Sequence, residues 1–187
     1  MTPPDPSAAP PDAAEALRAI ARRLADPHLG PGPRAALRRL DPAGNLAVPA
    51  LQRLLADLPE RWLQDGGERA WALLIHSLAL AAPDLHRGGP PLGAALYTAG
   101  YSEGRLTRLL QARPTELLVV LPRMVRFLVA KGRKLDPDAL RHLVLSAFRG
   151  QAAASEEART AIARAYYRAE AAAETAARTQ APEDATA

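Results

Sequence analysis

Nine positive side chains, Arg105, Arg108, Arg113, Arg123, Arg126, Lys131, Arg133, Lys134 and Arg141, fall in one stretch that holds three negative ones, Glu116, Asp136 and Asp138. The local surplus of +6 exceeds the +4 of the whole chain. Such a set can grip anionic oxygen: a guanidinium stays charged, and its planar fork meets phosphate or carboxylate bidentately. Acid-base, nucleophilic and metal chemistry find no comparable set. His28, His76, His86 and His142 are scattered without metal-ligand spacing, and no HExxH, P-loop, GxGxxG or GxSxG string occurs. Gly88 and Gly89 in HRGGPP lack the lysine and strand context of a phosphate-cradling turn. Glu156 and Glu157 read as helix-start charges rather than an acid-base pair. The expectation is a protein without enzymatic activity and without a cofactor.

Charge divides unevenly along the 187 residues. Residues 34–150 carry 17 basic against 10 acidic side chains, while both flanks are slightly acidic. A patterned basic surplus points to a polyanionic partner, most often nucleic acid. Composition alone leaves a second origin open: 22 of the 24 basic residues are arginine in an alanine-rich chain, as high-GC coding sequence produces without selection for binding. Cysteine is absent, which excludes a disulfide framework and thiolate metal sites. No segment approaches the ~18 apolar residues of a spanning helix, and the start, MTPPDPSAAPPD, lacks the pattern of a secretion signal. A cytoplasmic protein with no membrane association is expected.

The elements that must position the basic residues are helical. Apolar residues recur at helical spacing, strict alternation is missing, and proline and glycine punctuate the chain, which predicts an all-α, compact single-domain helical bundle with a leucine core. Residues 1–10 and 179–187 are expected to be disordered and 11–178 to form the domain. Pro11, Pro33, Pro49, Pro59 and Pro137 stand where helices could begin. Ser102, Thr115 and Asp136 read as N-caps, Ser155 with Glu156 and Glu157 as the opening of the last helix, and Gly132 and Gly150 as stops. The loop at 82–91 is expected to cross the surface, and Pro122 to kink its helix. Burial of Leu106, Leu109 and Leu110 leaves Arg105 and Arg108 paired on another face. Burial of Leu117, Leu121, Met124 and Leu128 does the same for Arg123 and Arg126. The competing reading is a solvated face, with Lys131, Arg133 and Lys134 complementing a helix C-terminus.

The order PRAALRRLDPAG, ERAWALLIHSLALAAP, GGPPLGAAL, SEGRLTRLL, ELLVVLPRMVRFLVAKGRKLDPDALRHLV and IARAYYRAE resembles the CasB family, the small subunit of the type I-E CRISPR Cascade surveillance complex, over about Arg34 to Tyr167. The chain departs from the family pattern at Ile162 and Phe148, where tryptophans are usual, and at Pro122, where arginine, glutamine or leucine is. The resemblance implies a non-catalytic helical subunit, present as a pair, whose basic surface tracks nucleic acid and helps to hold the R-loop open. Implied partners are the other Cascade subunits, guide RNA, target DNA strands and a second copy of the chain. The basic surface carried onto this sequence comprises Arg34, Arg38 and Arg39, then Arg105 and Arg108 as the foremost pair, then Arg123 and Arg126. Lys131, Arg133, Lys134 and Arg141 rank second. Few aromatics imply a grip on phosphate rather than on stacked bases. The alternative is a helical adaptor that binds only protein.

Overall fold

A computed structural model describes residues 12–180, and the expectations for Met1–Pro10, Pro11 and residues 181–187 lie outside them. Nine α-helices and two 3₁₀ turns, without a strand, make up the described residues: α1 (Ala13–Ala25), α2 (Pro31–Arg38), α3 (Pro49–Leu55), α4 (Gly67–Ala81), α5 (Leu92–Thr98), α6 (Glu103–Gln111), α7 (Pro114–Ala130), α8 (Pro137–Phe148) and α9 (Ala152–Gln180). The all-α expectation holds. The 3₁₀ turns are Pro27–Leu29 and Glu60–Trp62.

α4 is the axis of the core, because its apolar residues are not confined to one stripe and it buries most of its circumference. It packs against α7 and α8, with α1, α2 and α3 covering its other sides. Trp71 is fully buried and stacks on Trp62, centroids 5.8 Å apart. The second tight layer is α5 on α9. A Cβ on Gly93 would come within 2.0 Å of the Ile162 carbonyl oxygen and 2.5 Å of the Tyr166 nitrogen, so the two backbones meet where glycine leaves room. Beyond Glu170, residues 171–179 of α9 are all exposed, and the helix projects past the body.

Helix boundaries follow local chemistry. Pro49 and Pro137 open their helices at the first position, where a missing N–H costs nothing. The Asp136 carboxylate accepts from the amides of Asp138 and Ala139 at 3.0 and 3.2 Å. Gly132 and Gly150, at φ 64° and 63°, end α7 and α8 in the left-handed region that glycine enters without strain. Four expectations shift. Pro31, not Pro33, opens α2, and Pro59 precedes a 3₁₀ turn. Thr115 lies inside α7, because Pro114 takes the first position and Arg113 becomes the cap, its amide bonded to Glu116 at 2.7 Å. α9 begins at Ala152, which leaves Ser155, Glu156 and Glu157 in its early turns. α7 runs unbroken through buried Pro122, with Leu121 just before it and Met124 two residues after it held in the core. The loop at 82–91 is also no simple crossing. His86 is fully buried with Nε2 2.8 Å from the Ala21 carbonyl, and the loop backbone pairs with Leu135 through Gly89 N–H (3.1 Å) and the Leu85 carbonyl (2.7 Å).

Candidate functional site

The periodicity of α6 and α7 decides which way the arginines face. In α6, Leu106 and Leu109 sink into the core and turn Arg105 and Arg108 outward. In α7, Leu117, Leu121, Met124, Val125 and Leu128 do the same for Arg123 and Arg126. A two-residue connection, Ala112 and Arg113, folds one helix back beside the other. Arg105, Arg108 and Arg123 thereby surround one recess of about 340 Å³, with Tyr101 and Val120 completing its lining. A wider groove of about 870 Å³ continues along the same helix pair. It shares Arg108 and Val120 with the recess, adds Arg113, and carries Val119, 46% exposed, on its wall.

That face gathers arginines that make no ion pair among the described residues, and the one carboxylate lining the wider groove, Glu116, accepts from the Arg113 amide. Ion pairs among the described residues are Arg18–Asp138, Arg23–Asp57, Arg141–Asp138 and Arg178–Glu174. None involves Arg105, Arg108, Arg113, Arg123 or Arg126. One member of the cluster, Arg105, rests on an aromatic ring. The Arg105 guanidinium lies 5.5 Å from the Phe127 centroid, within cation–π range. Phe127 meets Tyr101 edge-on at 5.2 Å, and the Tyr166 hydroxyl donates to the Tyr101 carbonyl at 2.7 Å. Burial raises the Tyr101 phenol above its ordinary value, opposed by the positive charges of Arg105 and Arg108.

The remaining basic residues separate into engaged and free. Arg38 donates from Nε to the Ala79 carbonyl at 3.0 Å and from Nη2 to that of Ala82, satisfying carbonyls at the end of α4 that the helix leaves unpaired. Arg34 donates to the Asp26 carbonyl at 2.9 Å. Arg141 pairs with Asp138 at 3.2 Å, its side chain 16% exposed. Arg133 reaches the Thr98 carbonyl at 3.3 Å. Arg39, Lys131 and Lys134 are exposed, and Arg39 and Lys131 cap the ends of α2 and α7. Arg126 lies outside the recess, on the side of His76, whose imidazole it helps to keep neutral. His76 is buried with Nδ1 2.9 Å from the Leu37 carbonyl, and burial is the leading cause of its lowered pKa.

Sequence periodicity assigned no role to Tyr101 or Arg159. Arg159, on α9, donates to the Leu110 and Ala112 carbonyls at 2.6 and 2.8 Å and so fixes the end of α6. Its partners lie 49 and 47 residues away, and nothing in the local pattern announces them. Tyr101 did carry a signal, as the large polar aromatic immediately before the capped helix that bears Arg105 and Arg108. Among the described residues no cluster of three or more His, Cys, Asp or Glu could hold a metal ion. No helix among them is long and apolar enough to cross a membrane.

The described residues form an all-α body with guanidinium groups gathered on one helix pair, none of them in an ion pair among the described residues. Residues 33–167 match the family model of CRISPR-associated protein Cse2, and the chain belongs to that family, the CasB small subunit of the type I-E CRISPR Cascade complex. Compared with curated proteins and with solved structures, the chain matches none. The match takes in every basic residue singled out from the sequence and ends at Tyr167, thirteen residues before the end of α9.

Proposed function

We propose that this Cascade subunit is non-catalytic and uses the α6–α7 arginine face to grip nucleic-acid backbone, stabilising the R-loop during target recognition in the cytoplasm. The observation that carries the reading is the convergence of Arg105, Arg108 and Arg123 from two helices on one recess, with no carboxylate partner among the described residues. Exchange of a DNA duplex for an RNA–DNA heteroduplex is nearly balanced in free energy, so protein contacts to strand backbones can tip it. Guide RNA and the target DNA strands are the proposed polyanions, and a second copy of the chain is the proposed neighbour in the complex. Arg126, Lys131, Arg133 and Lys134, on α7 and the turn after it, extend the positive field, and Arg39 adds to it from the end of α2. Arg34, Arg38 and Arg141, engaged in the internal contacts described above, stand outside the recess.

The test is charge reversal at Arg105→Glu and Arg108→Glu, with the variant assembled into the complete complex. The R-loop lifetime should shorten at least tenfold, while the thermal transition of the free subunit stays within about 1 kcal/mol of wild type. An unchanged lifetime in a properly assembled complex would exclude this face. Loss of assembly with unchanged nucleic-acid affinity would reassign it to protein docking.

A further inference from the structure

We infer that the recess between α6 and α7 is a discrete site for a single phosphate group, in which the Tyr101 hydroxyl is a fourth ligand beside the forks of Arg105, Arg108 and Arg123. The inference rests on the reading of that face as a nucleic-acid grip and goes further, by assigning a neutral ligand and a fixed position. Three features of the structure support it. The recess, about 340 Å³, suits one phosphate and its adjoining sugar rather than a flat track beneath a duplex. Tyr101 lines it, is itself 6% exposed, and its phenol makes no hydrogen bond to the described residues, which leaves that donor available to a ligand in the recess. Both ends of that residue are set in place: the ring rests edge-on against Phe127 and the backbone carbonyl accepts from Tyr166. Phe127 also carries the Arg105 guanidinium, so one aromatic fixes two of the ligands. A phenol donating to an anionic oxygen supplies a short charge-assisted bond, and a site fixed before binding loses less freedom when the ligand arrives.

The experiment uses the full chain and a short dT oligonucleotide, with affinity measured over a range of salt. Arg105→Ala with Arg108→Ala should weaken binding and flatten the salt dependence by about 0.7 in log–log slope for each phosphate that is no longer neutralised. Tyr101→Phe keeps the ring and its packing on Phe127. It should cost roughly tenfold in affinity at an unchanged salt slope, because no charge is removed. If the arginine variant behaves as expected and Tyr101→Phe binds like wild type, the fourth ligand is overturned and the basic face stands. If the wild-type chain fails to bind the oligonucleotide at low salt, both are overturned. Should the Phe variant fold poorly, the wild-type chain labelled at tyrosine Cζ replaces it: the Tyr101 resonance must move on adding the oligonucleotide, and a stationary resonance refutes the assignment. Inorganic phosphate separates the two sources of the ligand. Displacement of the oligonucleotide from wild type, but not from the arginine variant, marks a site that also takes free phosphate. Resistance to displacement, with the Tyr101→Phe loss intact, marks one that takes only the phosphodiester of a strand.

Discussion

At the scale of single residues, the chain uses the same side-chain chemistry for two ends. Arg38 and Arg159 are spent on carbonyls at the ends of α4 and α6, whereas Arg105 and Arg108 have no acceptor among the described residues. Local sequence distinguishes the second kind by its three-residue spacing opposite buried leucines. It cannot distinguish the first, because Ala79 and Ala82 lie 41 and 44 residues from Arg38. Two buried histidines set an acid limit on stability. His76 and His86 have pKa values lowered from 6.5, chiefly by burial, and each ring is bonded to a carbonyl of another segment. In the unfolded chain they take up protons first as pH falls, so the stability they permit is intact above 6.5 and drains below it. The melting temperature should therefore fall between about pH 7 and about pH 5, and His86→Gln should reduce that dependence. A wild-type profile flat across the same interval would contradict the burial of both rings.

Among elements, the pairing of α5 with α9 is the most sensitive to change. Ala at Gly93 would push Cβ into the Ile162 carbonyl and the Tyr166 amide, backbone atoms that cannot swing aside. Gly93→Ala is expected to destabilise the fold by about 3 kcal/mol, read as a lower midpoint in urea. Tyr166 ties α9 to Tyr101, so separation of the helices should also disturb the recess. Most of the element plan was legible, because proline, aspartate and glycine act within a few residues of themselves. Asp136, Pro137, Gly132 and Gly150 stand where their own chemistry predicts. Thr115 did not, because a proline immediately before it outranked it for the first turn. α7 continues as one helix through Pro122 for a tertiary reason: Leu121, Met124 and Val125 beside it are held by the core, which outweighs the absence of one ladder bond. Likewise the loop at 82–91 gave no local sign of its burial, since the partners of His86 and Gly89 come from α1 and from Leu135.

For the molecule as a whole, the division is between a packed body and a helix that outruns it. Positions 171–179 of α9 are exposed and add nothing to the buried core, so deleting the chain after Glu170 should leave folding stability within about 0.5 kcal/mol of wild type, as measured by denaturant unfolding. A larger loss would mean that the projecting turns contribute to the body. The native sequence has no cysteine. A single thiol introduced at Ala176 would be unique in the molecule, mounted on a rod that advances about 1.5 Å per residue. A fluorophore attached there becomes a spectroscopic ruler with one known origin, able to time a neighbour's arrival without touching the arginine face.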